Sequence, residues 1–308
     1  MSFSWIIKRL FLIIPSLIGV SFLTFIIASK VPGDPVYALV GERADSKIIE
    51  SYRSKMGLDK GIVTRYCLYL KMILTGDLGL SYYSGRSVSK DLMEKFPNTL
   101  LLAFWSMLFS SIGGIVLGIY CALYPNTFAD KVILLFSTLC ISLPVFWFGM
   151  LLVYFFSFKI HIFPVAGMNG ALYFVLPSIT LGLRSLGYVV RLTKSCMLEV
   201  LNAEYIMTVK AKGGGILRII YHAFINAVIP IVTFIGLDFG SYLNGSVLTE
   251  TIFGWNGIGR YAINGILKRD YPVILGTVLF GAFVFMLINI LVDIICVLLN
   301  PKLRLKGK

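Results

Sequence analysis

The sequence has few of the residues that bind metals or carry catalysis. Its 308 residues include two histidines, His161 and His222, and five cysteines without C-x-x-C spacing. A histidine-based metal cage is therefore not expected. The sequence also lacks the G-x-x-x-x-G-K-[ST] loop that binds nucleotide phosphates, and the H-E-x-x-H and G-x-S-x-G motifs of hydrolases. These absences predict a chain with no catalytic residue, no metal site and no bound cofactor.

Charged residues are also scarce. They make up 14% of the chain, whereas hydrophobic residues make up 57%, and soluble domains average about 25% charged residues. The composition predicts an all-α polytopic membrane protein in contact with the lipid bilayer. Membrane proteins carry surplus lysine and arginine in cytosolic loops, so the net charge of +13 does not predict a nucleic-acid partner.

Six segments are apolar for about the 20 residues that a helix needs to cross a bilayer. They are residues 10–28, 99–124, 132–158, 173–190, 228–248 and 273–299. The first is too long for a signal peptide and lacks a small-residue cleavage site, so we expect it to remain as a membrane helix. The sequence therefore predicts six transmembrane helices.

Basic residues predict the orientation, because short cytosolic loops carry more of them than outer loops. With the N-terminus inside, twelve lie in cytosolic segments: Lys8, Arg9, Lys131, Arg191, Lys194, Lys210, Lys212, Arg218, Lys302, Arg304, Lys306 and Lys308. Four lie in short outer loops: Lys159, Arg260, Lys268 and Arg269. We therefore expect both termini in the cytosol.

Residues 30–98 are expected to form a small extracytoplasmic cap. Apolar periodicity predicts one helix around Tyr52 and a second around Tyr66, and Ser87 is a candidate N-cap for a third helix with Leu92 on its apolar face. The alternative is a disordered linker. The predicted organisation is a first transmembrane helix at 1–29, the cap at 30–98 and a five-helix membrane domain at 99–308.

The segment from Ala203 to Pro230 interrupts the apolar spans on the predicted cytosolic side. It predicts two short amphipathic helices around Gly213, Gly214 and Gly215, because glycine adopts the left-handed conformation that ends a helix. Pro230 is expected to open the next span. A helix–glycine–helix loop near 196–227 is typical of a docking element for a soluble partner.

Two charges fall inside predicted spans. Arg184 lies in the fourth and Asp238 in the fifth, both near the cytosolic end. Intramembrane charges are costly and tend to face a cavity or a partner. The two residues either pair across neighbouring helices, or Arg184 extends to the interface while Asp238 lines a water-filled groove.

The chain resembles a known family, the permease subunits of the dipeptide, oligopeptide and nickel class of ABC importers. Within this class it resembles the B-type half. The similarity covers almost the whole chain in order. The segments that carry it are IIKRLFLIIPSLIGVSFLTFIIASKVPGDPV, GDLGLSYYSGRSV, FPNTLLLA, ISLPVFWFGM, RLTKSCMLEVLNAEYIMTVKAKG, HAFINAVIPIVT, ETIFGWNGIGR, RDYPVI and LVDIICVLLNPKLR. The chain departs from the family pattern at Arg184, Asp238 and Asn256.

The resemblance implies a passive half-channel in a bacterial or archaeal cytoplasmic membrane. It implies a second, different permease subunit, two ATPase subunits that bind ATP and Mg, and an extracytoplasmic solute-binding protein that delivers peptides. Gly213 matches the glycine of the family's EAA-x-x-x-G loop, but Met207, Thr208 and Val209 occupy the EAA positions. A nickel or metal-chelate importer is the alternative within the family, and a secondary transporter or channel is the alternative of another class.

Three sets of residues follow as candidate sites. The residues expected to dock the ATPase are Glu204, Tyr205, Thr208, Val209, Lys210, Ala211 and Gly213, with Tyr205, Thr208 and Val209 against the partner. The residues expected to line the substrate pathway are Ser142, Pro144, Ser178, Arg184, Asp238, Ser241 and Asn244. The residues expected to contact the binding protein, as exposed aromatics and charges, are Tyr82, Tyr83, Arg86, Trp255 and Arg260.

Overall fold

The regular structure of this chain is helical. A computed structural model describes residues 3–30, 35–41 and 44–299, and the named elements within them are all helices. These are α1 Phe3–Lys30, α2 Pro35–Val40, α3 Ser46–Lys55, α4 Ile62–Leu74, α5 Val88–Leu123, α6 Phe128–Ser142, α7 Val145–Leu152, α8 Leu172–Leu201, α9 Glu204–Ala211, α10 Ile216–Leu243, α11 Val247–Ile252, α12 Ile258–Leu267 and α13 Tyr271–Leu299. A π-helical stretch, Val153–Lys159, continues α7. The basic residues at 302–308 used for the orientation lie outside the described residues.

Long apolar helices confirm the polytopic membrane fold. In the described residues, α1, α5, α8, α10 and α13 are each long and apolar enough to cross a membrane. The predicted third span is not straight. Its two halves, Phe128–Ser142 and Val145–Lys159, meet at 106°, so the count is six only if this bent pair crosses as one span. The break lies at Leu143, whose backbone is extended (ψ 132°) because the ring of Pro144 disfavours the helical conformation before it.

Two other prolines do not break their helices. Pro97 lies inside α5, so the predicted third cap helix and second span form one helix, which begins directly after Ser87. Pro230 lies inside α10, so the predicted second loop helix and fifth span are also continuous. Transmembrane helices tolerate proline because neighbouring helices and side chains satisfy the freed backbone groups. The sequence predicts the two parts of each helix as separate segments, and the structure joins them.

The cap packs on the ends of α1 and α13. Its helices α3 and α4 lie where apolar periodicity predicts them, and Asp45 accepts a hydrogen bond from the Lys47 amide at the start of α3 (3.1 Å). The ring of Tyr69 on α4 stacks on Phe25 of α1, with 5.9 Å between centroids. Residues 31–34 and 42–43 of the predicted cap lie outside the described residues.

Helix α8 forms the centre of the bundle. It contacts α5, α6, α7 and α10, and α5 approaches it through small residues. A Cβ added to Gly114 or Gly118 would lie 2.6 or 2.5 Å from side-chain atoms of Val189 or Thr193, so only glycine permits this close approach. The peripheral helix α1 packs against α13, where Arg9 forms an ion pair with Asp293.

Candidate docking and transport sites

A short helix projects from the bundle between α8 and α10. Helix α9 begins at Glu204, after a break at Asn202 and Ala203, and its Ile206 is completely buried. Ile206 belongs to a core cluster with Met197 of α8 and Ile219 of α10. One face of α9 is therefore anchored to both long helices.

The opposite face of α9 is exposed. Most of the predicted docking residues are exposed, namely Glu204, Tyr205, Thr208, Lys210 and Ala211 on α9 and Gly213 in the turn after it. Met207, which the sequence prediction omitted, is 61% exposed. Val209 is half-buried, because it lies one turn from Ile206 and packs on the same core cluster. The turn after α9 requires Gly213, whose φ is +74°, although no atom lies within 4 Å of its Cβ position.

Helix α8 exposes a single stripe of polar and aromatic residues. The stripe consists of Arg184, Tyr188, Arg191, Ser195 and Glu199, and spacings of three and four residues put them on one helical face. Much of the rest of α8 is buried within the chain. A polar stripe on the central helix is where a solute path or a second subunit would meet this chain.

Most of the predicted pathway residues are accessible, but one is not. Ser142, Pro144, Arg184, Ser241 and Asn244 are exposed, and Asp238 is half-buried. Ser178 is buried, because it lies on the α8 face of Leu181 and Ser185, which pack inside the chain. Ser178 therefore does not line an open surface in this structure.

Arg184 and Asp238 are not an ion pair here. In the described residues, no salt bridge within 4.0 Å joins them. The Arg184 guanidinium lies 5.8 Å from the ring centroid of Tyr188, its neighbour in the α8 stripe. One carboxylate oxygen of Asp238, Oδ2, is buried without a hydrogen-bond partner. The structure therefore favours the alternative in which the two charges act separately.

The predicted binding-protein residues divide into exposed and buried ones. Tyr83, Arg86 and Arg260 are exposed, and Arg86 lies 2.7 Å from Glu94 in an ion pair. Tyr82 is half-buried, and burial raises the pKa of its hydroxyl to about 12.

Trp255 was wrongly predicted to be exposed. It is completely buried, its Nε1–H donates to the Asn98 carbonyl (3.0 Å), and its ring meets Phe174 edge-on at 4.8 Å. It anchors the glycine-rich loop 254–259 to α5 and α8 and offers no surface to a partner.

A buried carboxylate organises the same loop and was missed by the sequence reasoning. Glu250 is completely buried and accepts hydrogen bonds from the Thr99 hydroxyl (3.0 Å) and the Arg260 amide (2.8 Å). A Cβ on Gly257 would lie 2.6 Å from this carboxyl group, so the glycine is needed for space. Burial raises the pKa of Glu250, and hydrogen bonds from the Arg260 amide and Thr99 lower it in part. The sequence feature that could have indicated this role is an acidic residue shortly before the glycine-rich loop 254–259.

Within the described residues, no group of three or more histidine, cysteine, aspartate or glutamate side chains is arranged to hold a metal ion. The long apolar helices define a polytopic α-helical membrane protein with one short loop helix anchored to the bundle.

Residues 114–305 match the family described as binding-protein-dependent transport system inner membrane component. Residues 2–103 match that family's N-terminal membrane component. The chain belongs to this family. It is a multi-pass permease subunit of an ABC importer, and thus a transport component and not an enzyme.

Relatives agree with this assignment, and a solved structure has a similar fold. The chain is 36% identical to the glutathione transport system permease protein GsiC of Escherichia coli strain K12 over 304 residues, 98% of this chain and 99% of the relative. It has the same identity and coverage with GsiC of Salmonella typhi. The fold is similar to that of an inward-facing MetNI methionine ABC transporter chain, with a TM-score of 0.57 and 16% identity over 68% of this chain and 96% of that chain.

Proposed function

We propose that this permease forms one half of a transmembrane path for small peptides, paired with a second, different permease subunit. Two ATPase subunits, which hold ATP and Mg, dock on the exposed face of α9. An extracytoplasmic binding protein delivers the solute. The observation that carries the proposal is α9 itself, a helix anchored through Ile206 and exposed at Tyr205 and Met207.

The anchoring of α9 supports transmission of motion into the membrane. Ile206 lies in one cluster with Met197 of α8 and Ala223 of α10. Protein interiors are closely packed and transmit displacement, so a force on α9 moves both long helices. Helix α8 carries the exposed stripe with Arg184 and Arg191, so the same movement changes the surface that faces the path.

The outer face supports delivery by a binding protein. Tyr83 and Arg260 are exposed on the side opposite to α9, and Lys268 lies 3.5 Å above the Tyr83 ring. Mixed aromatic and charged surfaces are common in protein interfaces. We place this face outside a bacterial or archaeal cytoplasmic membrane and both termini inside, on the strength of the basic-residue distribution.

A peptide substrate is supported by the GsiC relatives, whose name gives glutathione, a small peptide, as their solute. The exposed Arg184 and Arg191 add complementary chemistry, because guanidinium groups bind carboxylates through paired hydrogen bonds. Every free peptide carries at least one carboxylate.

Uptake into proteoliposomes tests the proposal. The assembled importer, with loaded binding protein outside and ATP inside, should accumulate labelled dipeptide or glutathione, and omission of ATP should stop it. Uptake without ATP would identify a secondary transporter. Uptake of nickel, but of neither peptide, would favour the metal-importer alternative.

A further inference from the structure

A cavity of about 600 Å³ lies under the cap, between α3, α4 and the adjoining ends of α1 and α13. Its apolar lining includes Phe25 of α1, Met72 of α4 and Leu275 of α13. Such a volume is in the range of sites for small organic groups. The cavity is separate from the α8 stripe, because α1 is peripheral and packs against α13.

The charged side chains that line this cavity are all basic. Its described lining residues include Lys55, Lys60 and Arg65 but no aspartate or glutamate. In the described part of the chain, none of the three cations forms an ion pair within 4.0 Å. Arg65 instead lies over the Phe25 ring, 5.7 Å from its centroid. Unpaired cations around an apolar floor complement an anion with an apolar part.

A buried hydroxyl adds an independent indication of a ligand. Tyr69 lines the cavity and is 8% exposed, and its hydroxyl has no hydrogen-bond partner in the structure. A phenol is protonated at neutral pH and can donate a hydrogen bond, and burial raises the pKa of Tyr69 further. Buried polar groups are nearly always satisfied, and an acceptor on a ligand would satisfy this one.

The location indicates the source of the anion. The cavity lies at the end of α1 opposite to the Arg9–Asp293 ion pair. The adjoining α1 surface exposes Phe22, Leu23 and Ile27, which in a membrane helix contact acyl chains. A group bound in the cavity therefore lies at the level of the lipid headgroups.

The geometry points to a binding site for an anionic phospholipid, with its phosphodiester at Lys55, Lys60, Arg65 and the Tyr69 hydroxyl. One acyl chain lies along the apolar surface of α1 and α13. The lipid wedges the cap against these two helices and fixes the surface that carries Tyr83. Juxtamembrane cations attract anionic lipid.

Native mass spectrometry of the purified importer tests this site. The complex is titrated with phosphatidylglycerol, with phosphatidylcholine of the same acyl chains, and with glycerol 3-phosphate as a free headgroup. The wild type should prefer phosphatidylglycerol over phosphatidylcholine by about tenfold or more, because the cations of the site attract an anionic lipid. A tenfold preference corresponds to about 1.4 kcal/mol. Glycerol 3-phosphate should bind far more weakly.

Matched variants locate the site. Lys55→Gln, Lys60→Gln and Arg65→Gln together should abolish the preference. Lys47→Gln, Lys71→Gln and Lys90→Gln together remove the same charge away from the cavity lining and should preserve it. If the first variant fails to assemble, Ser29→Trp decides, because it fills the cavity without changing charge and should also abolish the preference.

Four results would overturn the proposal. They are equal binding of the two lipids, free glycerol phosphate binding as tightly as the lipid, the same loss in the control variant, or retention of the preference in both cavity variants. If the cavity variants instead weaken association with the binding protein at unchanged lipid binding, the rim is a protein contact.

Discussion

At the scale of single residues, Glu250 shows how one buried group organises a loop. Its carboxylate receives hydrogen bonds from Thr99 on α5 and from the Arg260 amide. Glu250→Leu leaves these donors unsatisfied, and each buried unsatisfied group costs about 1–3 kcal/mol. We expect a clearly lower thermal unfolding midpoint of the purified complex, whereas Glu250→Gln, which keeps a carbonyl acceptor, should lose little. Equal midpoints for the two variants would contradict this role.

The same residue gives a pH dependence with a defined sign. Burial raises the pKa of Glu250 above its ordinary value of 4.5, so folding favours the neutral acid. The neutral acid of Glu250 stabilises the folded state fully at pH values below its ordinary pKa. This stabilisation is lost as the pH rises through the pKa that Glu250 has in the folded state. As the pH rises through this interval, the thermal unfolding midpoint of the wild type should therefore fall relative to that of Glu250→Gln. Thermal unfolding of both proteins at a series of pH values measures this difference. Parallel curves would show that Glu250 does not titrate as described.

Trp255 illustrates a residue whose role depends on distant partners. Trp255→Ala removes a completely buried ring and should cost about 3–5 kcal/mol. Trp255→Phe keeps an aromatic ring against Phe174 and loses the hydrogen bond to the Asn98 carbonyl, so it should cost about 1 kcal/mol. Thermal unfolding of the complex measures both. Wild-type stability of the alanine variant would show that the ring is not a core anchor.

The charges at Arg184 and Asp238 give a test by double substitution. Because they form no ion pair in this structure, Arg184→Met and Asp238→Leu should affect transport independently. The free-energy effects on uptake rate should add in the double variant within about 0.5 kcal/mol. A double variant that recovers activity relative to either single one would show that the charges pair, as removal of one partner of a buried pair leaves the other stranded.

At the scale of helices, length and hydropathy identified the spans, but local sequence did not identify which proline breaks a helix. Pro97 and Pro230 lie inside α5 and α10, whereas Pro144 begins a new helix after a 106° bend. Each proline removes one backbone hydrogen bond, and the surrounding packing determines whether the helix continues. The amphipathic α9 and its glycine stop were predictable because both signals are local.

The candidate sites were predicted less completely, because they too depend on packing between residues that are distant in sequence. Glu250 and Thr99 are 151 residues apart in sequence, so no local pattern reveals their contact. Val209 and Tyr205 both fit an amphipathic stripe, yet Val209 packs inward with Ile206. Only the tertiary packing distinguishes the side of α9 that faces the core from the side that faces a partner.

The turn after α9 gives a prediction at this scale. Gly213 has φ +74°, so Gly213→Val is strained by about 1 kcal/mol or more. It should uncouple ATP hydrolysis from uptake while the complex still assembles. Gly213→Asn, which tolerates this conformation, should couple better than valine. Gly215→Val is a matched control, because Gly215 has φ −67°. Normal coupled transport by Gly213→Val would contradict the docking role of this turn.

At the scale of the whole molecule, we propose a docking end at α9, a membrane path along α8 and a capped outer end. Helix α8 joins the first two, since it borders α9 and carries the exposed stripe with Arg184. The cap joins the outer ends of α1 and α13, where the Asp270 carboxylate accepts hydrogen bonds from the Ser81 hydroxyl (2.5 Å) and the Tyr82 amide (3.1 Å). This arrangement suits a subunit driven from one side and loaded from the other.

Site-specific photocrosslinking from α9 tests the central claim most directly. A photoreactive residue at Tyr205 or Met207 in the assembled, transporting importer should form an adduct with an ATPase subunit. The same residue at Val116, an exposed apolar position on α5, should form none, because it lies within a membrane-spanning helix. Absence of an ATPase adduct at both α9 positions, in a complex that still transports, would contradict the account.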